Sequence, residues 1–158
     1  MLPTPPSIED IIQGFQYQAT FDIPGKNTNH RLTMGVLWET EVIDISIASG
    51  RQVNPADNIS RSRITRLETL VQAIIQVDDW VCADDKDAQN HKELKGVLRS
   101  SLQKFSPVTI DYLWNLYDQM RVKQDQAFRE AVDELKKSMR LEEGVILSDL
   151  TSGDPGGN

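Results

Sequence analysis

From Ser106 to Met139 the chain reads as one amphipathic helix, and no other stretch constrains the fold as strongly. Ser106 is a good N-cap, and Pro107 sits at the first helical position, where its missing N–H costs nothing. The apolar stripe runs Ile110, Leu113, Trp114, Tyr117, Met120, Phe128, Ala131, Leu135 and Met139. At about 1.5 Å per residue such a helix reaches ~50 Å. A compact domain of this length has a radius of gyration of only ~15 Å. The helix must therefore kink or project beyond its own core. The stripe divides accordingly. From Ile110 to Met120 it is dense enough to be core, whereas beyond it thins to Gln124, Phe128 and Ala131. Phe128, Ala131, Leu135 and Met139 are thus the candidate partner-binding residues, for a helix-in-groove contact or for self-association.

The rest of the chain supplies the body. Phe15, Tyr17, Ala19, Phe21 and Ile23 alternate with polar residues, the period of a half-buried strand. Pro24-Gly25-Lys26-Asn27 is turn chemistry, and His30, Leu32 and Met34 form a return strand. Such a hairpin needs a surface to lie on. Met34, Leu37, Trp38, Val42 and Ile45 have helical spacing, with Thr33 as N-cap and Gly50 as stop. Ile43, Ile45 and Ile47 alternate like a strand, so residues 37–49 stay open between the two, with helix preferred. Asn54 as N-cap, Pro55 at the first position and Asp57 in the first turn predict a helix carrying Ile64, Leu67, Leu70, Val71, Ile74 and Ile75. It should end near Val77. Another is expected from Asp84 to Lys104, with Leu94, Val97, Leu98, Leu102 and Phe105 inward. The predicted fold class is α+β, mainly α: an N-terminal β-hairpin packed on three to four helices, the last of them long. Residues 1–14 read as an extended lead-in with a short helical turn at Ser7 to Gln13. Residues 15–140 form one domain. Residues 141–158 form an acidic, partly disordered tail with an apolar island at Val145-Ile146-Leu147 and a disordered end from Asp154 to Asn158.

Charge and cysteine content narrow the function classes. A formal charge of −7 repels phosphate backbones and anionic membranes unless cations gather on one face. Cys82 is the single cysteine, so no intramolecular disulfide forms, which fits a reducing compartment. Neither a signal-peptide pattern nor a run of about 20 apolar residues is present, and a soluble, cytoplasmic protein is expected.

Three sets of side chains invite a chemical reading. Asp78, Asp79, Asp84, Asp85 and Asp87 supply oxygen ligands, but without the Gly and Glu of a calcium loop they read as a solvated turn leading into a helix. Cys82, His30 and His91 lack metal-ligand spacing and a fourth ligand. Arg61, Arg63 and Arg66, interleaved with Ser60, Ser62 and Thr65, look like a DNA-reading helix. Yet from Arg51 to Gln76 four positive charges meet two negative ones, so a solvent-facing stripe, or a patch for an acidic partner protein, is preferred. No nucleotide-binding, hydrolase or zinc-protease motif occurs. The expectation is no catalytic site, no cofactor and no metal.

The order of elements resembles a known family. A strand such as Phe15 to Ile23 leads through a Pro-Gly turn to a strand ending near Leu32-Thr33. A helix with Glu39 or Glu41 follows, then the arginine helix with Leu67-Glu68-Thr69-Leu70-Val71-Gln72-Ala73-Ile74. The closing helix carries Ile110-Asp111-Tyr112-Leu113-Trp114-Asn115-Leu116-Tyr117. Over roughly residues 15–137 this layout resembles the small tail assembly chaperones, and related tail or baseplate accessory proteins, of long-tailed bacteriophages. The resemblance implies a non-enzymatic protein that binds the tape-measure protein, keeps its long helices soluble and helps nucleate the tube. A minor tail or baseplate component of the virion is equally implied, as is a longer frameshifted form. The expected location is the host cytoplasm or the virion tail. The competing expectation is a small DNA-binding regulator using Arg61, Arg63 and Arg66.

Overall fold

A computed structural model describes residues 1–54 and 56–151, with side chains described as far as Glu142. The chain runs α1 (Ile8–Ile12), β1 (Gln18–Pro24), β2 (Asn29–Gly35), α2 (Glu39–Gln52), α3 (Asn58–Ala73), β3 (Ile74–Val77), β4 (Trp80–Val81), α4 (Ala88–Leu102) and α5 (Pro107–Thr151). The fold is α+β and mainly helical, with an N-terminal hairpin and a long last helix.

The hairpin forms where alternation and turn chemistry place it. β1 and β2 pair antiparallel, with Ala19 opposite Met34 and Phe21 opposite Leu32 on the inner face. Thr20 and Thr33 share a 2.9 Å hydroxyl hydrogen bond on the outer face. At the tip the Gly25 N–H donates to the Thr28 carbonyl at 3.0 Å. Any Cβ on Gly25 would collide with that same carbonyl oxygen, so the turn admits only glycine. Phe15, expected as the first strand residue, lies before β1 and is exposed.

Two further strands complete a sheet of order β1-β2-β3-β4. The predicted helix to Val77 is corrected here, because α3 stops at Ala73 and Ile74 to Val77 become β3. Ile74 and Ile75 continue the helical spacing, but the free edge of β2 offers them a ladder. Met34 pairs with Ile74 and Thr33 with Gln76, which leaves Ile75 as a bulge. The β3–β4 turn rests on Asp78, whose φ of 51° lies in the left-handed region. Its carboxylate accepts from the Arg31 N–H at 2.7 Å and meets His30 Nδ1 at 2.8 Å.

Several helix boundaries also differ from expectation. α2 is helical, which decides residues 39–49 against strand, but Thr33 lies within β2 and Gly50 within the helix, so neither caps it. The start is set instead by the Glu41 carboxylate accepting from the Trp38 N–H at 2.7 Å. α3 is capped by Asp57, which accepts from the Ser60 N–H at 3.0 Å, not by Asn54. Asn54 forms a turn one step earlier by accepting from the Ala56 N–H. The Asn54 side chain is thus engaged in a turn three residues before the cap, and the helix begins after Asp57. The place given to Pro55 lies outside the described residues. α4 is shorter than expected, capped by Asp87, with Val97 and Phe105 facing outward. α5 opens as read, with Ser106 Oγ accepting from the Thr109 N–H at 3.3 Å, and continues past Met139 to Thr151. Residues 141–151, expected in an acidic tail, are thus helical. The side chains of Val145, Ile146 and Leu147, and the whole of Asp154 to Asn158, lie outside the described residues.

The core sits between the inner sheet face and the helices. It joins Tyr17, Ala19, Leu32 and Met34 to Ile45, Leu70, Val71, Leu98, Leu102, Leu113, Tyr117 and Met120. α3 is the central helix and touches α2, α4 and α5. The N-terminal lead-in is tied down: Tyr17 Oη donates to the Pro3 carbonyl at 2.8 Å, and Lys123 Nζ donates to the Leu2 and Pro3 carbonyls at 2.9 Å.

Candidate functional site

Two surfaces and one buried group carry what chemistry the described residues offer. The first surface is α5 itself. Leu113, Tyr117 and Met120 are buried, and Tyr117 Oη accepts from the Leu37 N–H at 3.4 Å. Four positions after Gln124, Phe128 is half-buried, as is Ala131. Leu135 and Met139 are 59% and 54% exposed. Phe128, Val132, Leu135 and Met139 recur at i, i+4, i+7 and i+11, so they extend the face that carries Tyr117. One stripe is thus core at its start and open at its end. With 45 residues the helix reaches about 68 Å, well past the body.

The second surface surrounds α3. A groove of about 610 Å³ lies between α3 and the α4–α5 corner, lined by Ile59, Arg63, Arg66, Phe105, Pro107 and Ile110 among others. Ile59 and Phe105 are 71% and 46% exposed beside it. Arg63 and Arg66 both line this groove, and Arg61 and Arg66 flank a neighbouring hollow beside Trp114. Arg61 lies against α2, its guanidinium 3.3 Å from where a Cβ on Gly50 would stand. Arg66 donates to Asp111 at 3.1 Å and stacks 5.7 Å over the Trp114 ring. Arg63 lines the groove, with the capping carboxylate of Asp57 near enough to be held down by its charge after the larger effect of the Ser60 hydrogen bonds. No sequence signal marked this groove, because its walls come from three helices.

The buried group is Lys95, which pattern reading passed over. It is 3% exposed and donates to the carbonyls of Gln72 at 3.1 Å and Ile74 at 2.6 Å. Those carbonyls belong to the last turn of α3 and the first residue of β3, where no intrahelical donor remains. Burial pulls the ammonium down to about 8. Cys82 is fully buried beside it, and burial raises its thiol. The pair is part of the core rather than a reactive centre open to solvent.

The acidic turn is used for backbone capping. Asp87 accepts from the Gln89 and Asn90 N–H groups, and Asp84 accepts from Lys86, Asp87 and the Asn90 amide. Those bonds hold Asp84 below the usual carboxylate range. His30 is engaged by Asp78, and His91 Nδ1 accepts from the Asp84 N–H at 3.1 Å. Among the described residues no three His, Cys, Asp or Glu side chains cluster as a metal site. No described helix is long and apolar enough to cross a membrane. No protein-family model, curated protein or solved structure matches this chain.

Proposed function

We propose that this chain is a non-enzymatic protein-binding protein of bacteriophage tail assembly, either a chaperone for the tape-measure protein or a minor tail or baseplate component. The observation that carries the binding role is the open end of the α5 stripe. A stripe that serves as core up to Met120 and continues outward through Phe128, Ala131, Val132, Leu135 and Met139 needs a second apolar surface. Burying the exposed half of each large side chain would contribute about 1 kcal/mol apiece. Long helices of a tape-measure type are partners of matching shape. The phage assignment rests on the layout of hairpin, acidic-start helix, arginine helix and closing helix.

The formal charge of −7 and the engagement of Arg66 by Asp111 favour a protein partner over DNA.

Co-expression with the tape-measure protein of the same genome tests the proposal. A soluble complex should survive size exclusion, and Phe128→Asp should abolish it while leaving the melting transition of the isolated protein nearly unchanged. A tape-measure protein that stays insoluble beside the wild-type chain overturns the chaperone form. A collapsed Phe128→Asp monomer overturns the binding role of the stripe.

A further inference from the structure

The groove between α3 and the α4–α5 corner is lined mainly by apolar side chains. Its walls, Ile59, Leu67, Leu102, Phe105, Pro107 and Ile110, are interrupted by Arg63, Arg66 and Asp111. With Arg66 and Asp111 paired, Arg63 is the remaining cation of the lining, with the Asp57 carboxylate at the start of the same helix as its acidic neighbour. The chain carries a segment of the opposite character. Val145-Ile146-Leu147-Ser148-Asp149-Leu150 is aliphatic at four positions of six, and residues 141–158 hold Glu142, Glu143, Asp149 and Asp154 with no Lys or Arg. We propose that this C-terminal segment of one copy docks into the groove of a second copy.

The helix itself dictates that the contact is between copies. Ile110 lines the groove, and Val145 lies ~35 residues further along the same unbroken helix, about 50 Å away. A continuous helix cannot fold back on its own first turn. The groove accepts the segment from another molecule, its aliphatic and acidic composition matching a lining that is apolar at Ile59 and Phe105 and cationic at Arg63. Groove and segment stand at opposite ends of α5, so the association is heterologous: each copy offers a groove to one neighbour and a tail to another. Such contacts propagate until they close into a ring or extend into a filament. This inference is independent of the phage assignment and of the Phe128 stripe.

Complementation of two full-length variants tests it. Ile59→Asp spoils the groove at an exposed position in the first turn of α3, where an acid is well tolerated. Ile146→Asp spoils the tail. Light scattering over a concentration series should show wild-type mass rising above 17.9 kDa, while each variant alone stays at one chain mass. Mixed, the two should form a species of two chain masses and no larger, because one intact groove meets one intact tail. Arg63→Glu should weaken association about tenfold, and Asp149→Lys in the partner should restore it. A wild-type chain that remains monomeric overturns the proposal. So does a mixture that fails to associate, or an Ile146→Asp variant that assembles normally.

Discussion

Replacing Lys95 with methionine separates two opposed effects that the fold sets against each other. The side chain keeps nearly the same length and stays apolar, so packing is preserved, but two buried carbonyls lose their donor. Leaving each unsatisfied costs about 1–3 kcal/mol. Against this stands the burial of a charge. A shift from 10.5 to about 8 corresponds to roughly 3 kcal/mol of disfavour for the ammonium over the amine, at about 1.4 kcal/mol per pH unit. Below pH 8 lysine is charged in both folded and unfolded states, and the wild type bears that cost in full. Between about 8 and 10.5 the unfolded chain binds the proton and the folded chain does not, so wild-type stability rises with pH. Methionine has no such dependence. Urea unfolding of both proteins at intervals from pH 7.5 to 10.5 should therefore show a small penalty for Lys95→Met at the low end. It should grow by up to ~3 kcal/mol at the high end. Cys82 titrates nearby with the opposite sign, since its raised folded value favours the thiol and costs stability as pH climbs. Lys95→Met also removes the charge that lowers the Cys82 thiol, so both proteins are compared in a Cys82→Ala background to isolate the lysine. A penalty that stays constant across the window, or shrinks with pH, would refute the reasoning, because the two carbonyls would then hold the proton as well as water does.

The remaining predictions concern the core, the turn and the arm. Tyr117→Phe removes the acceptor for the Leu37 N–H and should cost about 1 kcal/mol, whereas Tyr117→Ala should cost about 3–5 kcal/mol, both read from urea midpoints. Asp78→Ala keeps the left-handed backbone without the carboxylate that stabilises it and should lower the midpoint more than Asp78→Gly, which relieves the backbone. The Asp78 contribution should be present above pH 3.8 and disappear as pH falls through its lower folded value, the Arg31 N–H being the main cause of the shift and His30 the second. Phe128→Asp should leave circular dichroism and melting close to wild type while weakening association with a helical partner, as measured by size exclusion.

Local chemistry fixed more of this fold than of its surfaces. The hairpin was legible because Ala19, Phe21, Leu32 and Met34 alternate and Gly25 has no substitute at the turn. The start of α5 was legible because Ser106 and Pro107 agree. The start of α3 was not, since Asn54 and Asp57 are both sound caps and only tertiary packing chooses between them. β3 was hidden because Ile74 and Ile75 satisfy a helical period as well as a strand, and the unpaired edge of β2 decides the matter. Lys95 escaped notice because a lysine reads as solvent-facing until a helix end without donors is placed beside it. The groove was invisible for a similar reason: Ile59, Phe105 and Ile110 are far apart in sequence, and nothing in any one helix shows that they converge.

The junction at Ala73 has a mechanical side. α3 passes into β3 with no residue between them, and Lys95 bolts the two together through Gln72 and Ile74. Such a joint has no slack. The Ile75 bulge lies directly beside that joint, so the end of the helix and the start of the ladder share one anchor.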